Sequence, residues 1–298
     1  VSATSANQLL TPAVLAGLAN LDLVARTAVE GFLVGLHRSP RFGFSQEFAE
    51  YRAYAEGDDP RFVDWNVFAR TERTYVRRYQ GETNTRLMVV LDASASMTYR
   101  STGVSKLQYG KFLAAALSYL AMRQHDPVGL IVFDTEIRHY RPPSSRAGAL
   151  QGVLHALDTV TAGKRGDLET GFGTFREHLT RRGLVAVISD LYCDPAVMRR
   201  AVQPLAYRGH DIMFFQIMDR TELSPNWKEA QLLEDMESGH TMQVSAQSIE
   251  QYGVRLQAHL AALRQAAAGV GADQVLIATD EPLDRALKQY LLFRQGRD

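Results

Sequence analysis

Two regimes of hydrophobic patterning divide this chain. From Leu87 onward, short apolar runs of strand length alternate with longer segments in which apolar residues recur at helical spacing. Leu87–Leu91 reads as a buried parallel strand, and Val128–Phe133, Leu184–Ser189, Ile212–Met218 and Gln274–Ala278 read as further strands. Between and after them, helices are expected at about 105–124, 146–159, 168–180, 196–207, 248–268 and 282–294. In the first of these, Leu107, Phe112, Leu113, Ala116, Leu117 and Leu120 form one face. Ile137–Tyr140 is placed to turn back on the second strand as a hairpin, and 222–246 reads as loop and hairpin. Strand–helix alternation of this length predicts an α/β fold, a mainly parallel sheet with helices on both faces.

The first part of the chain is patterned differently. Thr11-Pro12 opens a helix, with the threonine as N-cap and the proline at the first helical position. It is expected to run to about Leu36, with Leu15, Leu18, Leu21, Leu23 and Val24 on its apolar side. Pro40 and Gly43 make 37–50 irregular. Glu56-Gly57-Asp58-Asp59-Pro60 is a turn leading into a short helix, capped by Asp59, that carries Phe62, Trp65 and Phe68. Thr74–Tyr79 alternates with strand period, and Asn84 marks a turn. The expected organisation is an N-terminal helix and β extension over 1–84, packed on the edge of an α/β domain over 85–298. No internal repeat is present.

Composition narrows the class. The 298 residues are 46% hydrophobic, enough for a sizeable core. Thirty-three basic and 33 acidic residues cancel, so no global field favours nucleic acid or an anionic membrane. A single cysteine, Cys193, rules out an intramolecular disulfide or a thiolate metal cluster and fits a reducing compartment. Val1–Asn20 lacks the basic flank and long apolar core of a signal peptide, and no run approaches the roughly 20 apolar residues of a membrane span. A cytoplasmic protein is expected.

The candidate chemistry lies where the first strand of the α/β region ends. Asp92-Ala93-Ser94-Ala95-Ser96 places one carboxylate and two alternate hydroxyls at a strand's carboxyl end, the rim at which open α/β sheets bind ligands. These hard oxygen donors suit Mg²⁺ or Mn²⁺ but are too few to enclose it, which leaves a position for an outside ligand. An incoming Asp or Glu of a partner protein would fill it with a charge-strengthened bond. The competing reading is that the carboxylate and hydroxyls merely cap the turn and hold backbone amides.

In this setting the Asp-x-Ser-x-Ser resembles the metal-ion-dependent adhesion site of von Willebrand factor A (vWA) domains. The likeness extends along the chain. Glu56-Gly57-Asp58-Asp59-Pro60-Arg61-Phe62-Val63-Asp64-Trp65, Arg70-Thr71, Arg77-Arg78-Tyr79, Ile188-Ser189-Asp190-Leu191, Arg208-Gly209-His210-Asp211, Asp219-Arg220-Thr221-Glu222-Leu223 and Thr279-Asp280-Glu281-Pro282-Leu283 resemble, in order, the anchors of the bacterial DUF58 family. The resemblance implies a vWA-like fold with an N-terminal extension and an association with MoxR-type AAA+ ATPases. It also implies that Asp92, Ser94 and Ser96 form the first metal-binding loop and that Asp190 supplies the third. The second loop departs from the vWA pattern. Gly163-Lys164-Arg165-Gly166-Asp167-Leu168 puts Gly166 where a threonine is usual, with Asp167 adjacent and Thr170 one turn on. Mg²⁺ tolerates water in place of a neutral ligand, whereas Lys164 and Arg165 oppose a cation.

Other constellations point away from catalysis. A haloacid-dehalogenase-type phosphotransferase would carry a second aspartate two residues after Asp92, where this chain has Ser94. The chain lacks Gly-x-Ser-x-Gly, a P-loop and a dinucleotide fingerprint. Arg70, Arg73, Arg77 and Arg78 with Tyr75 and Tyr79 read as a charge-protected edge strand rather than a nucleic-acid surface. Asp64-Trp65 reads as an anchor for the extension, His210 as a packing or turn residue, and Met213, Met218 and Met236 as core or loop contacts. The expected function is a non-catalytic protein-interaction module with a divalent-metal site at Asp92, Ser94, Ser96, Asp190 and Asp167. It would work with a MoxR-type AAA+ ATPase or its client. The alternatives are a metal-free scaffold and a metal-dependent hydrolase or phosphotransferase using Asp92.

Overall fold

The computed structural model describes residues 10–37, 48–53, 67, 74–79, 86–101, 103–163, 176–225, 231–234, 240–244 and 246–295. Two helices, α1 (Pro12–Leu15) and α2 (Leu21–His37), stand where one was expected. Thr11 holds the extended N-cap conformation and Pro12 the first helical position, but the helix stops after one turn. Asn20 starts the second helix by accepting the Leu23 N–H on Oδ1 at 2.9 Å. Gly17 and Asn20 thus override the apolar periodicity that runs across the break.

Strands β1 (Phe48–Ala53) and β2 (Tyr75–Tyr79) pair antiparallel as a sheet of their own. β1 begins inside the stretch expected to be irregular, and among the described residues no ladder joins this pair to the main sheet. The expected Asp59-capped helix lies outside the described residues apart from the helical Val67, as do Asp64, Trp65, Arg70 and Arg73.

The remainder runs β3 (Leu87–Asp92), α3 (Lys106–Arg123), β4 (Val128–Phe133), β5 (Ile137–Ser144), α4 (Ala149–Thr159), β6 (Leu184–Ser189), α5 (Pro195–Tyr207), β7 (Asp211–Met218), α6 (Arg220–Leu223), β8 (Gln231–Glu234), β9 (Thr241–Val244), α7 (Ala246–Ala268), β10 (Asp273–Ala278) and α8 (Leu283–Gln295). The helix expected over 168–180 falls largely outside the described residues, and Arg176–His178 is a 3₁₀ turn. β8 and β9 form the expected hairpin.

Six strands make the main sheet in the order β10-β7-β6-β3-β4-β5, with only β5 antiparallel to its neighbour. Every residue of β3, β4 and β6 is buried, which is why these runs carry no polar alternation. Leu87, Val89 and Leu91 face a core built with α2, α3, α4 and α8. Met88 and Val90 face the other, built with α5 and α7. His210, Met213 and Met218 are buried, in line with their reading as packing residues.

The N-terminal helix belongs to the first core. Val24, Ala25, Ala28, Val29 and Phe32 of α2 are buried together with Leu113, Leu117 and Leu287.

Strand order places the site. From β3 the chain moves to β4 on one side, while β6 lies on the other side of β3 and leads on to β7. The connections leaving the carboxyl ends of β3 and β6 therefore diverge. Such a switch point opens a crevice at the sheet's rim, and Asp92 and Asp190 stand at its two sides.

Candidate functional site

Asp92 ends β3 and is fully buried. Its Oδ1 accepts the Ser94 N–H at 2.8 Å, and its Oδ2 accepts the Ser189 hydroxyl at 2.6 Å. The turn-capping interaction considered from the sequence is thus present, yet each carboxylate oxygen keeps a further lone pair. Ser96 lies in the 3₁₀ turn Ala95–Thr98, and the Ser94 and Ser96 hydroxyls are 3.2 Å apart. Both serines are buried.

The second loop reaches this point at Gly163, whose N–H donates to the Ala93 carbonyl at 2.5 Å. A Cβ on Gly163 would lie 2.1 Å from Asp134 Oδ2, so glycine is needed for the approach. Lys164, Arg165, Gly166, Asp167 and Thr170 lie outside the described residues.

Asp190 follows β6 and is fully buried. Leu191 after it takes a left-handed conformation, φ 55°, with its side chain in the core. Such a conformation is costly for leucine and persists only where the surroundings enforce it. Gln216 helps by donating from Nε2 to the Asp190 carbonyl at 3.0 Å.

The Asp190 carboxylate already has a cation. Lys106 Nζ lies 2.8 Å from Asp190 Oδ2 and 2.8 Å from Glu222 Oε1, and the lysine is entirely buried. Its ammonium also stands 4.7 Å from the centre of the Tyr192 ring and 5.8 Å from that of Tyr99. Burial opposes the charge, but Asp190 and Glu222 outweigh it and hold the ammonium above the usual lysine range. Glu222 is raised by burial, an effect that Lys106 only partly offsets.

Glu222 is positioned by a reciprocal cap on α6. Its Oε2 accepts the Asp219 N–H at 2.7 Å, while Asp219 Oδ1 accepts the Thr221 N–H at 2.9 Å. Asp219 also receives the Ser101 N–H at 2.9 Å and the Ser101 hydroxyl at 2.5 Å, tying the loop before α3 to α6. These hydrogen bonds overcome the effect of burial and hold the Asp219 carboxyl below its ordinary range.

Asp92 is served differently. Burial, then the charge of Asp190, pushes its carboxyl up to about 7, against hydrogen bonds from Ser189 and Ser94 that act the other way. Among the described residues no lysine, arginine or histidine pairs with it. A buried carboxylate lacking a cation beside two adjacent hydroxyls fits a small hard ion. No group of three His, Cys, Asp or Glu side chains converges among the described residues, so such an ion would depend on the serines and on water.

Sequence reasoning brought Asp92, Ser94, Ser96 and Asp190 to one rim but missed Lys106, Ser189 and Glu222. A signal for Lys106 was available. It falls on the same helical face as the buried Leu113, Leu117 and Leu120, while Gln108, Lys111 and Arg123 take the more exposed side, and helix N-termini favour acids over bases.

Comparison with known proteins follows the same lines. The family model described as "Protein of unknown function DUF58" matches residues 50–267. An uncharacterised protein of Mycobacterium tuberculosis is 27% identical over 274 residues, 90% of this chain and 86% of that protein. Among solved structures, an aerotolerance-related membrane protein from Bacteroides fragilis is 16% identical, with a TM-score of 0.48 over 69% of this chain and 97% of that one. The VWA domain of SpRpn10 is 11% identical, with a TM-score of 0.40 over 69% of this chain and 94% of that one. No helix among the described residues is long and apolar enough to cross a membrane.

Proposed function

Because the chain belongs to the DUF58 family, we propose that its vWA-like domain is a non-catalytic protein-interaction module that binds partners at the carboxyl rim of the sheet. Asp92, Ser94 and Ser96 hold a divalent ion, Mg²⁺ or Mn²⁺, with Asp190 behind them. Bound there, the ion supplies positive charge with a coordination position open to an acidic side chain of a partner. The protein's own residues prepare that position. Ser189 and the Ser94 amide fix the Asp92 carboxylate, and Gly163 brings the second loop against Ala93.

The observation that carries this reading is that the buried Asp92 carboxyl has no cation beside it among the described residues. The nearby internal cation goes to Asp190 and Glu222, and a buried carboxylate without one is costly. A partner carboxylate fits better than a reacting substrate, because the residue two positions after Asp92 is Ser94 rather than an acid. A MoxR-type AAA+ ATPase or its client as partner, in the cytoplasm, belongs to the same proposal and is supported by family membership alone.

Thermal unfolding tests it. Millimolar Mg²⁺ is expected to raise Tm by a few degrees through preferential binding to the folded state, and Asp92→Ala is expected to abolish the rise. An identical melting curve with ion and with chelator would leave the metal-free scaffold, which the Lys106–Asp190 pair favours.

A further inference from the structure

We infer that Lys106 is a built-in competitor for the divalent ion, a tethered cation that holds the third-loop carboxylate and keeps ion affinity low. This rests on the metal reading above and adds to it a residue that sets the affinity.

The geometry has three parts. First, the ammonium meets Asp190 Oδ2 directly, at 2.8 Å, with both side chains wholly buried. Water screens charge poorly there, so the ammonium acts strongly on any other cation nearby. Second, the lysine cannot drift away. It starts α3 behind the Ser105 N-cap, which accepts the Gln108 N–H at 3.1 Å, and its own residue is buried. Third, the ammonium is also held by Glu222 Oε1 at 2.8 Å and stands near the rings of Tyr99 and Tyr192. A cation with two carboxylates and two aromatic faces is a fixed component of the rim.

Two effects on an ion follow. Asp190 has given one oxygen and much of its charge to Lys106, so it offers the ion less. The ammonium's positive charge also opposes a second cation shared with Asp190. Both disappear when the charge is removed.

The experiment is a calorimetric titration of the chelator-treated full chain with Mn²⁺. It compares wild type, Lys106→Arg, Lys106→Met and the double variant Lys106→Met/Glu222→Gln. The double variant loses one positive and one negative charge, so its net charge is unchanged and Asp190 is released without leaving Glu222 unpaired. It also answers the question if Lys106→Met alone fails to fold. Loss of the competing charge is expected to tighten Mn²⁺ by roughly tenfold or more in the double variant. Lys106→Arg is expected to stay near wild type. Equal or weaker binding in the double variant, with wild type still binding, overturns the competitor role and leaves the metal site standing. Absence of Mn²⁺ binding in all four proteins overturns both.

Discussion

Ser189 and Asp92 are 97 positions apart and are joined by a hydrogen bond of 2.6 Å between the ends of adjacent parallel strands. The serine hydroxyl also accepts the Leu191 N–H at 3.0 Å, so one side chain links the first-loop aspartate to the backbone beside Asp190. Ser189→Ala removes a donor from a buried carboxylate and an acceptor from a buried amide. It is expected to destabilise the fold by about 1–3 kcal/mol, read by urea denaturation. A loss within error of zero would mean that the two loops are held together by other contacts.

The Asp92 carboxyl gives a pH dependence of definite sign. Its native value of about 7 lies above its ordinary 3.8, so the folded protein keeps a proton that the unfolded chain has released. Stability from this group is full below the ordinary value and is lost as pH rises through about 7. In chelator, wild type is therefore expected to lose on the order of 2 kcal/mol relative to Asp92→Asn between pH 5 and pH 8. Parallel stability curves for the two proteins would refute the shift.

Gly163→Ala tests the approach of the second loop. The added methyl would stand 2.1 Å from Asp134 Oδ2, closer than any real contact, so the loop or Asp134 must move. A destabilisation of about 1–3 kcal/mol is expected, together with a weaker Tm response to Mg²⁺. Retention of the full response would show that the first and third loops suffice.

Asp219→Ala removes the α6 cap and both bonds from Ser101. A loss of about 2 kcal/mol is expected in chemical denaturation. Ser101→Ala should cost less, since the cap on Thr221 and Glu222 survives it.

The parallel strands were legible because burial on both faces leaves continuous apolar runs, as in Val128–Phe133 and Leu184–Ser189. The Asp92 loop was legible because its donors are local, all within five residues of one strand end. Glu222 was quoted as part of a family anchor, yet its partner Lys106 is 116 positions away, and no local pattern links them. The first helix was misjudged because apolar spacing continues across Gly17–Asn20 while the backbone does not. Strand β1 was overlooked although Ala49-Glu50-Tyr51-Arg52-Ala53 alternates apolar and polar residues, because so short a run stands out only beside its partner strand.

Helix α2 lies against α3 and α8, and the Leu283 N–H donates to the Leu10 carbonyl at 3.3 Å. Part of the cover of α2 therefore comes from a helix far along the chain. A chain cut before Leu283 would keep the cover that α3 gives α2 but lose the part that α8 supplies, leaving a greasy strip for chaperones to hold.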